Sequence, residues 1–235
     1  MKMTFVSTIV ALALSATAAS AATIINGSFE VVDGRLGLTG GGSDGDPLNS
    51  LASGTGSGSW DVYDEIPGWT TIAGFGIEVQ TNSTLSSIDA YDGEHYVELD
   101  SENDGSNTSN SGMRQQFILG PGTYELSFQY SPRTGDIGSN GIGYSLFNGT
   151  LLVGGITGPH VSNGTAVGFW TEVRERFTVT EEHLYTLQFN ADGTNDELGG
   201  FGDAISISAV PLPASALLLL AGLGGLGAVA RRKKA

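Results

Sequence analysis

Carboxylates dominate the side chains of this sequence that could do chemistry. The chain of 235 residues contains 25 Asp and Glu, three His and no Cys. His95, His160 and His183 lack the spacing of a metal site, and no serine, histidine and carboxylate form the pattern of a catalytic triad. A glycosidase needs two carboxylates. Glu94 with Glu98, or Glu78 alone, could be named, but nothing singles them out among so many acids. The sequence therefore predicts a protein that is not an enzyme.

One serine has neighbours that are typical of a hydrolase nucleophile. Residues 41–45 read G-G-S-D-G, which fits the pattern G-x-S-x-G around Ser43. That nucleophile needs a strand before it and a helix after it, and neither is predicted here. The surrounding segment, 33–59, is rich in Gly, Ser and Asp and is predicted to be a long loop.

Two acidic segments resemble the start of a calcium-binding loop. Residues 100–105 place acids at positions 1, 3 and 5 before a glycine at position 6. Position 12 is Ser111 rather than the bidentate glutamate of an EF-hand, and no helices flank the segment. We therefore predict a solvated acidic loop there, and another at 192–197.

A set of polar and aromatic residues forms a candidate sugar-binding platform. Sugars are bound by aromatic rings that stack on their apolar faces, beside groups that hydrogen-bond their hydroxyls. Trp170, Arg174 and Arg176 share one side of a predicted strand, and Gln129 and Ser127 join them if their strand is a neighbour. The alternative for Trp170 is a position in the core, and the sequence leaves both open.

A second aromatic cluster competes with this platform. Tyr91, His95 and Tyr96 lie close together in the chain, just before the first acidic loop. The other two tryptophans give less guidance. Trp69 follows a Pro-Gly pair and is predicted to be a core residue, whereas the sequence does not decide the role of Trp60.

The elements that must position these residues are short strands. Candidate strands are 23–30, 76–80, 95–99, 113–119, 123–130, 141–147, 150–154, 169–179, 184–190 and 204–208. Most alternate with period two: Tyr124, Leu126, Phe128 and Tyr130 would face the core and the residues between them would face solvent. Glycine-rich turns connect the strands, and nothing in this region has helical periodicity. We predict an all-β protein, a two-sheet antiparallel sandwich.

The N-terminus has the features of a secretory signal peptide. Lys2 supplies a positive start, residues 5–14 form an apolar stretch, and small residues at 19–22 provide a cleavage site. We predict a signal peptide over 1–22, handled by the Sec translocon and signal peptidase, and a β-sandwich domain over 23–208.

The C-terminal segment 209–235 is predicted to be a sorting tail. Its residues Val210, Pro211, Leu212, Pro213 and Ala214 lead into an apolar run, 214–230, which is followed by four cations. Seventeen helical residues span about 26 Å, close to the ~30 Å hydrocarbon core of a bilayer. The prolines fit the start of this transmembrane helix, and the cations fix its end on the cytoplasmic side.

This tail resembles the C-terminal sorting signals of the PEP-CTERM type, in the variant whose motif reads VPLPA. The resemblance implies recognition by an exosortase, a membrane transpeptidase that passes the protein on to the cell surface. It also implies a Gram-negative bacterium, in whose inner membrane the chain is transiently anchored. A plain single-pass anchor is the alternative.

Charge and composition exclude several classes of partner. Five arginines and 25 acids lie between the two terminal signals, which leaves a formal net charge of −20. No lysine occurs between Lys2 and Lys233. Such a domain repels nucleic acid and anionic membrane surfaces. Without cysteine, an exported domain must be held together by its core or by metal rather than by disulfides.

Five short motifs between the signals resemble, in their order, the galactose-binding-like jelly rolls, which include carbohydrate-binding modules. The motifs are Asn26-Gly27-Ser28-Phe29-Glu30, Ile66-Pro67-Gly68-Trp69, Asp92-Gly93 with Tyr96-Val97-Glu98-Leu99-Asp100, Gly122-Thr123-Tyr124 with Leu126-Ser127-Phe128, and Gly202-Asp203-Ala204-Ile205-Ser206-Ile207. The chain departs from the family at Asp203-Ala204, where two adjacent acidic or amide residues are common.

The same resemblance implies a structural calcium ion. In carbohydrate-binding members a calcium ion ties the first strand to the last, and Glu30 and Asp203 occupy the matching positions. Carboxylate oxygens suit this hard cation. The alternative is that both carboxylates cap turns, and the sequence leaves both open.

Together these features predict an exported, surface-sorted, non-catalytic β-sandwich. The resemblance implies that it binds carbohydrate, such as an exopolysaccharide of an extracellular matrix or biofilm. A structural surface protein without a specific ligand is the alternative, and a carbohydrate-active enzyme is a third.

Overall fold

The structure is a computed structural model that describes most of the region between the two terminal signals. The described residues are 24–40, 43–51, 60–82, 84–85, 87–102, 105, 108–136, 138–153 and 167–211. The predicted signal peptide and the predicted tail helix 214–230 lie outside them. None of the helical structure within those ranges is long and apolar enough to cross a membrane.

Antiparallel strands make up nearly all of the regular structure. In chain order they are β1 (Thr39–Gly40), β2 (Ser43–Asp44), β3 (Trp60–Tyr63), β4 (Glu65–Ile66), β5 (Trp69–Ala73), β6 (Ile77–Thr81), β7 (His95–Leu99), β8 (Gly112–Leu119), β9 (Gly122–Pro132), β10 (Ile142–Asn148), β11 (Leu151–Leu152), β12 (Thr171–Val179), β13 (His183–Ala191) and β14 (Gly200–Ala209). Sheet I has the order β11-β10-β13-β8-β5-β4, and sheet II has the order β12-β9-β14-β7-β6-β3. A separate small hairpin pairs β1 with β2.

The two large sheets form a jelly-roll sandwich. The chain passes repeatedly from one sheet to the other. Strands β8, β10 and β13 belong to sheet I, and strands β9, β12 and β14 belong to sheet II. The predicted all-β, two-sheet antiparallel fold is confirmed. Of the ten candidate strands, all but the first overlap an observed strand.

The core lies between the sheets and is rich in aromatic rings. On β9, Tyr124, Leu126, Phe128 and Tyr130 are all at most 1% exposed, as their alternation predicts. The ring of Phe128 lies 5.1 Å from that of Phe189 on β13, in an edge-to-face arrangement. Such aromatic pairs contribute about 0.5–1.5 kcal/mol beyond the area they bury.

Trp69 of β5 closes the core beside the N-terminal segment. Its side chain is 1% exposed, and its ring lies 6.2 Å from that of Phe29 and 6.1 Å from that of Phe189. The indole Nε1 donates a hydrogen bond to the carbonyl of Asn26 (3.1 Å). The predicted core position of Trp69 is confirmed. The sequence did not predict β3, β4 or β5, because Pro67, glycines and charges interrupt any alternation there.

The predicted strand at 23–30 is wrong. Its described residues form turns, in which Asn26 and Phe29 have φ values of 54° and 61°, outside the extended region. The Asn26 side chain holds this conformation, since it accepts from the N–H of Val31 (2.7 Å) and donates to the carbonyl of Pro67 (3.0 Å). The segment thus inserts Phe29 into the core without joining a sheet as a strand.

The loop predicted at 33–59 is more structured than expected in its described part. Besides the β1-β2 hairpin it contains a 3₁₀ turn, Leu48–Ser50. Leu48 and Leu51 are 1% and 8% exposed and belong to the main core. Ser43 lies in β2 and is followed by this short turn rather than an α-helix, so the hydrolase motif has no elbow.

We expect Trp69→Ala to lower the free energy of unfolding by about 3–5 kcal/mol, because the cavity it leaves is lined by rings that cannot collapse fully. Ile118→Ala is the matched control, since Ile118 is 65% exposed and its loss should change stability by less than about 0.5 kcal/mol. Thermal and urea unfolding measure both. Equal transition midpoints for the two variants would contradict this core assignment.

Candidate ligand-binding surface

The outer face of sheet II brings together most of the predicted platform. Strand β12 pairs with β9, and residues directly opposite each other in an antiparallel pair lie on the same face. The opposite pairs are Glu172 with Gln129, Arg174 with Ser127, and Arg176 with Glu125. The sequence analysis placed Gln129 and Ser127 on this face on the condition that the two strands are neighbours, and the structure meets that condition.

The two arginines of this face are held by carboxylates. Arg174 contacts Glu125 and Glu172, each at 2.8 Å, and Arg176 contacts Glu125 at 2.9 Å. The hydrogen bond from Arg176, reinforced by Arg174, lowers the pKa of the Glu125 carboxyl. Both arginine side chains remain more than half exposed. The face thus presents charge-balanced donors and acceptors to solvent.

Gln129 lies on the same face but is nearly covered. Only 7% of the residue is exposed, and it stands opposite Asp203 of β14 as well as Glu172 of β12. Little of its amide can therefore reach a ligand in this conformation.

Trp170 immediately precedes β12 and is partly buried. Its Nε1 donates a hydrogen bond to the carbonyl of Asp89 (2.8 Å), and its ring lies 6.0 Å from that of Tyr96. It packs against a small second cluster made of Ile88, Tyr96 and Phe201, on the outer side of sheet II. Trp170 therefore has features of both interpretations, since one part of its ring is packed and another part is accessible.

Two exposed aromatic rings flank this tryptophan. Phe169 is 66% exposed and Tyr91 is 55% exposed. Their loops, 87–91 and 167–170, are joined by the hydrogen bond from Trp170 and by close packing of Gly168 on Ser87. Gly168 has a φ of 78° and no room for a Cβ, so glycine is required there. We call these two loops the aromatic loop pair.

The competing cluster predicted from the sequence is divided by the fold. His95 and Tyr96 begin β7 and are 7% and 0% exposed, whereas Tyr91 lies on the surface. The hydroxyl of Tyr96 donates to Gln80 in the interior (2.9 Å). Tyr91 instead lies in the loop that contacts the loop of Phe169. Sequence reasoning placed Phe169 inside a strand and did not consider it as a site residue.

Asp203 fastens the loop that carries Tyr91. Its carboxylate is fully buried and accepts N–H bonds from Tyr91 (2.8 Å) and Asp92 (3.0 Å), as well as from Ala204 (2.6 Å). Burial raises the pKa of this carboxyl to about 7, and the N–H donors oppose that rise. Asp203 therefore acts as a fixed acceptor at the irregularity of β14 that lies between Asp203 and Ser206.

Glu30 holds the following part of the same loop. One oxygen of its carboxylate accepts N–H bonds from Glu94 (2.8 Å) and His95 (2.7 Å), and the other lies 3.2 Å from the Nδ1 of His95. Gly93 packs directly on this carboxylate with a φ of 88°. Both candidate calcium ligands therefore cap backbone turns, as the alternative predicted.

The carboxylates of Glu30 and Asp203 are bonded to backbone N–H groups rather than grouped around a cation. Calcium takes six to eight oxygen ligands, whereas Glu30 and Asp203 are turned toward N–H donors. Among the residues described, no three His, Asp or Glu side chains are grouped so that they could hold a metal. Calcium stays a prediction, which a titration tests below.

A buried pair of carboxylates lies on the covered part of sheet II. Glu78 and Glu98 stand opposite each other on β6 and β7, and the amide of Gln80 donates to both (2.7 and 2.5 Å). Arg133 donates to both oxygens of Glu98 (2.8 and 2.7 Å). Burial raises the pKa of Glu98 well above its usual range; the charge of Glu78 adds to the rise and Arg133 opposes it. At 2% and 0% exposure, neither carboxylate can reach a substrate.

The prediction of a solvated acidic loop is wrong for Asp100. This residue is fully buried and accepts a hydrogen bond from the hydroxyl of Ser109. Its other oxygen accepts from the N–H groups of Asp196 (3.2 Å) and Leu198 (3.3 Å), in the second acidic segment. These hydrogen bonds connect the first acidic segment to the second.

The C-terminal residues 209–234 match the family model of the PEP-CTERM protein-sorting motif. This motif indicates export, surface sorting and processing by an exosortase-type system. The match begins at the last residue of β14, and the N–H of Val210 is still bonded to the carbonyl of Thr123 (2.8 Å). The VPLPA variant and the tail helix stay predictions.

Several solved structures share the fold at low sequence identity. One is a CBM35 from Paenibacillus barcinonensis, at 21% identity and a TM-score of 0.39, covering 61% of this chain and 94% of that one. A second is a carbohydrate-binding module of Cellvibrio mixtus lichenase 5A in complex with cellotriose. Its sequence identity is 14% and its TM-score 0.36, and the match covers 60% of this chain and 98% of that one. A third is an enzyme, an isomalto-dextranase of Arthrobacter globiformis complexed with panose. Its sequence identity is 19% and its TM-score 0.40, and the match covers 60% of this chain and 24% of that one. At these identities the likeness concerns the fold alone. No curated protein sequence matches the chain.

The buried carboxylate pair predicts effects of unequal size for two similar substitutions. We expect Glu98→Gln to lower the free energy of unfolding by about 3–5 kcal/mol, because it leaves the partly buried charge of Arg133 without its partner. Glu78→Gln removes the other charge and should cost no more than about 1 kcal/mol. Thermal unfolding of the two variants at pH 7 makes the comparison, and equal losses would contradict this division of roles.

The same pair predicts how stability depends on pH. Because burial raises the pKa of both carboxyls above the ordinary 4.5, the folded state binds their protons more tightly than the unfolded chain does. Their contribution is therefore present at low pH and is lost as the pH rises above about 4.5. We expect Glu78→Gln to flatten the fall in melting temperature between about pH 5 and 7. An unchanged slope would show that Glu78 does not titrate there.

Calcium titration distinguishes the two interpretations of Glu30 and Asp203. A bound ion would stabilise the fold by about 2.7 kcal/mol at one hundred times its dissociation constant, and a chelator would reverse the rise in melting temperature. Asp203→Asn should abolish the response, whereas Asp136→Asn on an exposed turn should retain it. A melting temperature that does not respond to calcium leaves turn capping as the whole role of both residues.

Proposed function

We propose that this chain is an exported, surface-sorted β-sandwich that binds carbohydrate without catalysing a reaction. The observation that carries this proposal is the aromatic loop pair, which presents Tyr91 and Phe169 to solvent beside the half-buried Trp170. The proposed ligand is a polysaccharide of the surroundings into which the chain is sorted, such as a matrix or biofilm exopolysaccharide.

The loops that carry the rings are held rigidly, which favours binding. Tyr91 is fixed by the bond from its N–H to Asp203, and Phe169 lies between Gly168 and Trp170, which both contact the other loop. A preorganised ring loses little freedom when a sugar stacks on it, so more of the stacking energy remains as affinity.

Polar groups farther along the same face of sheet II supply partners for sugar hydroxyls. Arg174 and Arg176 keep donors exposed although both are paired with Glu125. On the neighbouring strands the hydroxyls of Ser127 and Ser206 are 2.8 Å apart and exposed. Trp170, Arg174 and Arg176 thus stay part of the proposed binding surface, whereas Gln129 would have to become uncovered to take part.

A structural surface protein without a specific ligand is the second candidate. The observation that favours it is the pairing of Arg174 and Arg176 within sheet II, since such ion pairs are also common on surfaces that bind nothing. A carbohydrate-active enzyme receives less support, because the closely paired Glu78 and Glu98 are buried.

The proposal is tested with the full chain, kept in a mild detergent, on a panel of polysaccharides and oligosaccharides. We expect Tyr91→Ala and Phe169→Ala each to weaken binding about fivefold, which corresponds to about 1 kcal/mol of lost stacking. Both side chains are exposed, so their loss should leave the melting temperature within a few degrees of wild type.

The matched control is the pair Ile118→Ala and Leu184→Ala. These residues stand opposite each other on the outer face of sheet I and are 65% and 47% exposed. They remove similar apolar surface from the other side of the sandwich and should leave binding unchanged. Equal binding by the loop variants and wild type would reject the site, and wild type that binds no glycan would favour the structural candidate.

A further inference from the structure

We infer that the aromatic loop pair selects glycans that carry free amino groups. This inference rests on the proposed function and specifies the chemical class of ligand for the same surface. The amino group of such a sugar is protonated near neutral pH, so the ligand presents cations as well as apolar ring faces.

The first support is the charge around the exposed tyrosine. Asp89, Asp92 and Glu94 lie within three residues of Tyr91, and all three are exposed. The side chain of Asp92 accepts a hydrogen bond from the hydroxyl of Ser28 (2.7 Å), which is a neutral partner and leaves the charge in place. A ligand at Tyr91 therefore meets a rim of carboxylates.

The second support is that nearby cations are already neutralised. Arg174 lies on β12, four residues after Trp170, and is paired with both Glu172 and Glu125. Arg133 is committed to Glu98 in the interior. No lysine occurs anywhere between Lys2 and Lys233, so none can offset the rim. The potential over the rings is therefore negative.

Aromatic faces and carboxylates together favour an ammonium group. An aromatic ring attracts a cation to its negative face, and a carboxylate near the same cation adds a charge-assisted hydrogen bond. The same surroundings repel uronic acids and sulfated sugars, because like charges brought together on binding lower the affinity. Neutral sugars gain the stacking and the hydroxyl hydrogen bonds but not the attraction between charges.

The test compares two ligands of the same length and linkage, one with free amino groups and one with neutral acetamido groups. The full chain in mild detergent is titrated with a β-1,4-linked glucosamine hexasaccharide and with its fully N-acetylated counterpart, at pH 6 and low salt. We expect the amine form to bind about tenfold more tightly, and this preference to shrink at about 0.5 M salt as the charges are screened.

Two double variants locate the preference on the surface. Asp92→Asn with Glu94→Gln removes two charges beside Tyr91, and should reduce the preference for the amine form to about twofold or less. Glu181→Gln with Glu182→Gln removes two exposed charges in the turn between β12 and β13, and should retain the tenfold preference. The two variants change the net charge equally, so a general effect of protein charge would affect both alike.

The outcomes separate this inference from the proposed function. Equal binding of the two hexasaccharides, or a preference that survives in the Asp92/Glu94 variant, overturns the amine selectivity while glycan binding stands. The protein could also fail to bind the amine form and yet bind neutral glycans in a way that Phe169→Ala weakens. That outcome likewise overturns the amine selectivity while glycan binding stands. Failure to bind any glycan overturns both.

Discussion

The bond between the buried carboxylate of Asp203 and the loop that crosses it is the constraint on which the candidate surface depends. Asp203 accepts the N–H groups of Tyr91 and Asp92, and this brings the loop of the preceding residues onto the outer face of sheet II. There the carbonyl of Asp89 meets Trp170. Because the carboxylate is fully buried and filled with donors, it orders the loop without contacting a ligand itself. The exposed rings are the consequence of this interior contact.

Long strands could be predicted from the sequence because their signal is local. The alternation of β9 places Tyr124 and Phe128 inward whatever the rest of the chain does. The sequence left its pairing with β12 open, and the fold determines it. The segment around Asn26 could not be predicted in this way. Its left-handed turns are held by Val31 and by Pro67, and the latter belongs to a distant part of the chain. A short strand such as β5 likewise depends on its neighbours.

The candidate site was predicted in part for the same reason. Arg174 and Arg176 follow from strand periodicity, whereas the loops of Phe169 and Tyr91 meet only through residues far apart in the chain, such as Trp170 and Asp89, which are 81 positions apart. Acidic composition was also misleading in detail. An acid-rich chain suggests solvated carboxylates, yet Asp100 is buried because N–H groups of another loop satisfy it.

The hydrogen bond between Val210 and Thr123 fixes the end of the sandwich from which the tail leaves. The chain leaves the sandwich there, at the end of the sheet where β12 finishes, and the sorting motif starts within that last strand. Trp170 stands at the other end of β12, about 27 Å away along nine residues of strand. A molecule held by its tail would therefore extend its aromatic rings away from the holding surface, and tethering and capture would not compete for the same space.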